Sequence, residues 1–148
     1  VSRLVIAVQY ASRSRALPDE ASVRRWARTA LAAAARQRPV TLSELTIRYV
    51  DRPEARTLNG AFRGKDYPTN VLTFPLTSET ADIAICAAVV RLEALAQKKA
   101  LADHHAHMVV HGVLHAAGFD HETDAEAEAM EAIEVAALAR LGVKNPYE

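Results

Sequence analysis

Six histidines fall within residues 104–121, and three of them have the spacing of metal ligands. His111 and His115 stand four apart in a stretch that reads as a helix from about Asp103 to Ala117. At about 3.6 residues per turn both imidazoles lie on one face, within reach of a single ion. Gly118 can take a left-handed backbone and end that helix. The chain can then turn back and bring His121 to the same point. Three neutral imidazoles leave one position of a tetrahedral ion open, the pattern of a catalytic rather than a structural zinc site. Nitrogen ligands suit zinc, although nickel, cobalt or copper fit the same donors.

The remaining candidates have weaker spacing. His107 stands four before His111 and offers a competing pair, but no third ligand matches it. It is read as a residue that supports the ligands without touching the ion, or as a packed helix residue. His104 and His105 are read as solvent-facing or capping. Asp120 either orients a ligand imidazole, as carboxylates beside metal sites do, or simply makes the turn. The H-x3-H-x2-G-x2-H spacing coincides with that of the metzincin proteases. Those enzymes carry a glutamate general base directly after the first histidine, where this chain has Gly112. A zinc protease is therefore disfavoured.

These residues need a scaffold. Leu4–Val8, Leu45–Val50, Val71–Phe74 and Ala81–Cys86 read as strands. Pro18-Asp19-Glu20 opens a helix with Val23, Trp26, Ala27, Ala30, Leu31 and Ala34 on its apolar face, closed by Pro39. Asp51, with Glu54 three residues on, starts a short helix running to about Phe62. A helix from Ala87 to about Leu101 precedes the histidine helix. Thr123 and Glu126 form a capping box for a last helix ending at Gly142. Its stripe is Met130, Ile133, Ala137 and Leu141, with the glutamates facing water. This predicts an α+β fold, one domain over residues 1–148, with a small mixed β-sheet packed against helices.

Composition narrows the classes. The chain has 148 residues, half of them apolar, which fits one globular domain. No apolar run approaches the roughly 18–20 residues of a membrane span. The single cysteine, Cys86, allows no internal disulfide and reads as a small buried residue at a strand end. Val1-Ser2-Arg3 leads directly into a strand without the features of a signal peptide. Together these predict a cytoplasmic protein. Net charge is zero, yet residues 1–74 hold 13 Lys and Arg against 6 Asp and Glu, while residues 75–148 hold 5 against 12. Twelve of those 13 cations are arginines, which is compatible with a polyanion-binding face or with solvated helix faces. The aromatics are few and read as core, which argues against base stacking.

The segment His111–His121 resembles the signature of the YbeY family of bacterial ribosomal RNA maturation factors. Leu58-Asn59 followed by Arg63-Gly64-Lys65-Asp66 and Pro68–Pro75 resembles its second signature, and Ala81-Asp82-Ile83 its third. His107-Met108-Val109-Val110 also matches. The departures are Asn70 where Asp is frequent, Thr73 where Ser is common and Ala81 where Gly is common. Asn70 argues against a catalytic carboxylate there. The resemblance implies a single-strand-specific, metal-dependent endoribonuclease holding one divalent ion, most simply zinc, at His111, His115 and His121. It implies action on ribosomal RNA, at the 3′ end of the small-subunit RNA, and in ribosome quality control. The partners would be RNA, the small ribosomal subunit and assembly factors, with no DNA and no membrane. Arg63 is the candidate catalytic residue, since a guanidinium is permanently charged and can hold two phosphate oxygens. The alternative is a non-catalytic ribosome-assembly factor whose metal organises the fold.

Overall fold

In a computed structural model, described here for residues 4–148, β1 (Val5–Ala11), β2 (Glu44–Val50), β3 (Val71–Pro75) and β4 (Thr80–Cys86) form one sheet. Val1–Arg3, on which the leader reading rests, lie outside the described residues. The strand order is β1-β2-β4-β3, with β1, β2 and β4 parallel and β3 antiparallel to β4. The helices are α1 (Glu20–Ala35), α2 (Arg52–Arg63), α3 (Ala87–Ala96), α4 (Leu101–Ala116) and α5 (Asp124–Arg140). The fold is α+β with a mixed sheet, as the sequence predicts.

Alternation makes the sheet one-sided. Leu45, Ile47 and Tyr49 of β2 are buried and pair in register with Ala81, Ile83 and Ile85 of β4. Against this face lies α4, which also contacts α1, α3 and α5. Val109, Val110, Val113 and Leu114 are fully buried, so α4 is the central helix and not an amphipathic surface element. Asp19 caps α1, its carboxylate accepting the Ser22 N–H at 2.7 Å. The Thr123–Glu126 capping box forms on α5. Asp51 stands at the N-cap of α2, but its carboxylate accepts from Ser12 and from the Arg13 backbone. Glu54 pairs with Arg48 at 2.8 Å, so no capping box forms there.

Two expectations are corrected. The helix read from Ala87 to about Leu101 stops at Ala96, and Lys98 turns the chain with φ of 55°. The Lys98 and Lys99 N–H groups bond back to Leu95 and Ala94, so a turn containing neither Gly nor Pro separates α3 from α4. His104 and His105 are not solvent-facing or capping, because α4 starts earlier and is enclosed on several sides. They are only 3% and 2% exposed. His104 Nε2 lies 3.0 Å from Glu93, and His105 packs edge-on against Tyr49. Cys86 is buried at the end of β4, as expected.

Candidate metal centre

His107, His111 and His115 follow one face of α4, and His121 joins them from the turn beyond it. That turn is a left-handed helix stop. Gly118 has φ of 99°, its N–H bonds to His115 O at 3.0 Å, and Phe119 N–H bonds to Leu114 O at 3.0 Å. The reversed chain brings the His121 ring centroid within 5.6 Å of His111 and 4.9 Å of His115. One ligand nitrogen from each histidine lies within 4.8 Å of the others.

The donor set fits a divalent ion. Two nitrogens bound at about 2.0–2.1 Å to one tetrahedral ion sit roughly 3.3–3.4 Å apart. His111 Nε2 and His115 Nε2 are 3.2 Å apart. Burial, with the neighbouring charges of His111 and His121, pushes His115 down to about 4, so its imidazole is neutral and able to ligate.

The carboxylate that orients this group comes from α5. Glu134 is 1% exposed, and its Oε1 accepts from His111 Nδ1 at 2.7 Å. That bond leaves His111 Nε2 with its lone pair towards His115. Glu134 Oε2 accepts from His107 Nε2 at 2.9 Å and from the Tyr147 hydroxyl at 2.6 Å. Burial alone would raise the Glu134 carboxyl. The hydrogen bonds from His107 and His111, the His111 charge and the Tyr147 hydroxyl outweigh it and hold the group at about 2.

This corrects the expectation that the α5 glutamates face water. Positions 130, 134, 137 and 141 share one helical stripe, so an acid among apolar residues was the available signal. His107 therefore meets the carboxylate that holds His111. Asp120 does not contact an imidazole by hydrogen bond. Its Oδ1 accepts the His121 backbone N–H at 2.8 Å and so shapes the turn.

The three histidines open onto a cleft of about 780 Å³, lined also by Phe62, Arg63, Asn70, Thr73, Phe119 and Glu122. Arg63 is the last residue of α2 and is exposed; Gly64, with φ of 69°, stops the helix behind it. Arg63 makes no ion pair among the described residues. Nearby Arg56 is spent on Asp66 at 2.6 Å. Asn70 donates to Glu93 at 3.2 Å, a bond that an aspartate could not make there. Thr73 Oγ1 donates to Gly112 O at 3.0 Å and ties β3 to the histidine helix. Gly112 itself faces the sheet. A Cβ there would meet Ile83 Cγ2 at 3.0 Å and Val71 Cγ2 at 3.1 Å. The position of the protease base is thus a helix–sheet contact.

Comparison with known proteins gives the family of the chain. A family profile described as Endoribonuclease YbeY matches residues 8–142. A protein of Alkalilimnicola ehrlichii named Endoribonuclease YbeY is 50% identical, over 97% of this chain and 91% of its own length. One of the same name from a Janthinobacterium species is 48% identical, over 99% and 95%. The solution structure of TM1509 from Thermotoga maritima shares the fold at a TM-score of 0.59 and 22% identity, covering 90% of this chain and 91% of its own. With the family profile spanning nearly the whole chain and relatives near half-identical, this protein belongs to the YbeY endoribonuclease family.

Proposed function

We propose that this chain is a metal-dependent endoribonuclease, one domain over residues 1–148, that cuts single-stranded ribosomal RNA. The carrying observation is the juxtaposition of the histidine triad with the exposed Arg63, which has no ion-pair partner among the described residues, in one cleft. When bound at His111, His115 and His121, a divalent ion, most simply zinc, would acidify water and polarise a phosphoryl oxygen. Arg63 would hold the non-bridging oxygens of the scissile phosphate, supplying charge that three neutral imidazoles cannot. Glu134, by accepting the His111 Nδ1 proton, would fix that ring's tautomer and angle.

The biological setting we infer is maturation of the small-subunit RNA 3′ end and ribosome quality control in the cytoplasm. The small subunit and its assembly factors would be partners, and neither DNA nor a membrane would be. The names of the near relatives support the RNA substrate. Among the described residues no helix is long and apolar enough to cross a membrane.

The test pairs metal content with single-turnover cleavage of single-stranded RNA. Chelation and His115→Ala should each abolish cleavage, and zinc should restore only the chelated protein. Undiminished cleavage by metal-free protein would refute the reading.

A further inference from the structure

Two of the chain's three phenylalanines, Phe62 and Phe119, line the cleft, and the third, Phe74, packs against Phe62. Phe62, next to Arg63 on the last turn of α2, is 53% exposed. Phe74 backs it, with ring centroids 4.5 Å apart at 62°. Phe119, on the wall made by the Gly118 turn, is covered by the Arg38 guanidinium at 4.0 Å. Phe119 is half-buried beneath Arg38, so of the two phenylalanines lining the cleft Phe62 is the exposed one. Leaving it in water forfeits the stabilisation that burial would bring. Its backing by Phe74 limits the freedom lost when something lands on it.

We propose that Phe62 is the stacking platform for a base next to the cleaved phosphate, and that this ring selects unpaired RNA. The proposal rests on the RNA-cleaving reading above. Arg63, the adjacent residue, would take the phosphate while Phe62 takes the base. A base inside a duplex is covered on both faces by its neighbours and cannot be shared with a side chain. An unstacked base can. The expectation that the aromatics are core is thus corrected: Phe62, where α2 ends at the cleft, stays exposed although Phe74 packs against it, and Tyr10, Tyr67 and Tyr147 are exposed as well.

The test uses single-stranded RNA cut by the wild-type protein, with an abasic site placed in turn at each nucleotide beside the cut. One such position should lower kcat/KM roughly 5- to 100-fold, the range for losing a base–aromatic stack. Phe62→Ala should lose as much on intact RNA, show no further loss at that abasic position, and discriminate less against duplex RNA. Phe62→Trp should retain activity. Phe62→Leu, which keeps the apolar cover over Phe74, should behave like Phe62→Ala with an unchanged melting temperature. Abasic and Phe62→Ala losses that multiply, or wild-type rates from Phe62→Ala, would overturn the proposal. A cleavage-resistant 2′-O-methyl strand carrying 2-aminopurine at that position decides the stack separately. Quenching by wild type but not by Phe62→Ala supports it, and equal emission refutes it. If the wild type cut no RNA at all, the function would fall while this emission comparison still judged the platform.

Discussion

At the scale of single residues, the candidate site divides labour between the three histidines that could hold an ion and the groups that hold those histidines. Glu134 is the second kind. A carboxylate this deeply buried is tolerated because His107, His111 and Tyr147 all donate to it. Glu134→Gln should keep the fold, since the amide has the same shape and can still accept from His111. It removes the charge that makes His111 a better ligand, so zinc affinity should fall about 10- to 100-fold, the range for lost outer partners of metal ligands. Competition against a chromophoric chelator measures this; unchanged affinity would reduce Glu134 to a core filler. Arg63 calls for the opposite pattern, because it is exposed and its side chain makes no hydrogen bond or ion pair among the described residues. Arg63→Ala should retain metal and melting temperature yet lose cleavage by about 10²–10³-fold. Arg63→Lys should recover part of that, a point charge lacking the two-pronged contact. Wild-type cleavage by Arg63→Ala would make Arg63 a surface arginine. The histidine cluster was legible in the sequence because its spacing is local: four residues of helix, a glycine stop, three residues of turn. Glu134 was obscured because its partners lie 23 and 27 residues away, and only the packing of α5 on α4 joins them.

At the scale of elements, what matters is how closely α4 approaches the sheet. Gly112 lets the helix backbone lie against Ile83 and Val71, and Thr73 locks the contact by bonding to the Gly112 carbonyl. The same residue that removes the protease base thus also gives α4 its close approach to the sheet. Gly112→Glu would drive a charged side chain into a buried contact, combining overpacking with desolvation, and should cost at least about 3 kcal/mol. Thermal melting should show it, and peptide hydrolysis should not appear, since the new carboxylate would point at the sheet and away from the histidines. A stable Gly112→Glu protein that cleaves peptides would refute this. Helix starts with local chemistry, such as Asp19 and Thr123, were readable before the fold. The α3–α4 break was not, because Lys98 adopts its left-handed turn without the glycine that usually announces one.

At the scale of the whole molecule, strand alternation and helix periodicity made the α+β class legible. They could not show that α4 sits at the centre, because its polar face is a histidine stripe that meets Glu93 and Glu134 of neighbouring helices instead of water. That placement has a consequence for acid stability. His105 lies against Tyr49 in the core, and burial, with the charge of His104, pushes it down to about 4. In the unfolded chain it would protonate near 6.5. Between these values the unfolded state binds the proton and the native state does not, so unfolding is favoured as pH falls. Stability is unaffected by His105 above about pH 6.5 and falls progressively until about pH 4, by about 3 kcal/mol in all. His105→Phe preserves an aromatic edge against Tyr49 and removes the titrating group. Its denaturation free energy should therefore fall less than that of wild type between pH 7 and 4. His111, His115 and His121 are common to both proteins, so loss of metal in acid cancels in the comparison. Parallel curves for the two proteins would mean that the acid sensitivity of the core lies elsewhere than in His105.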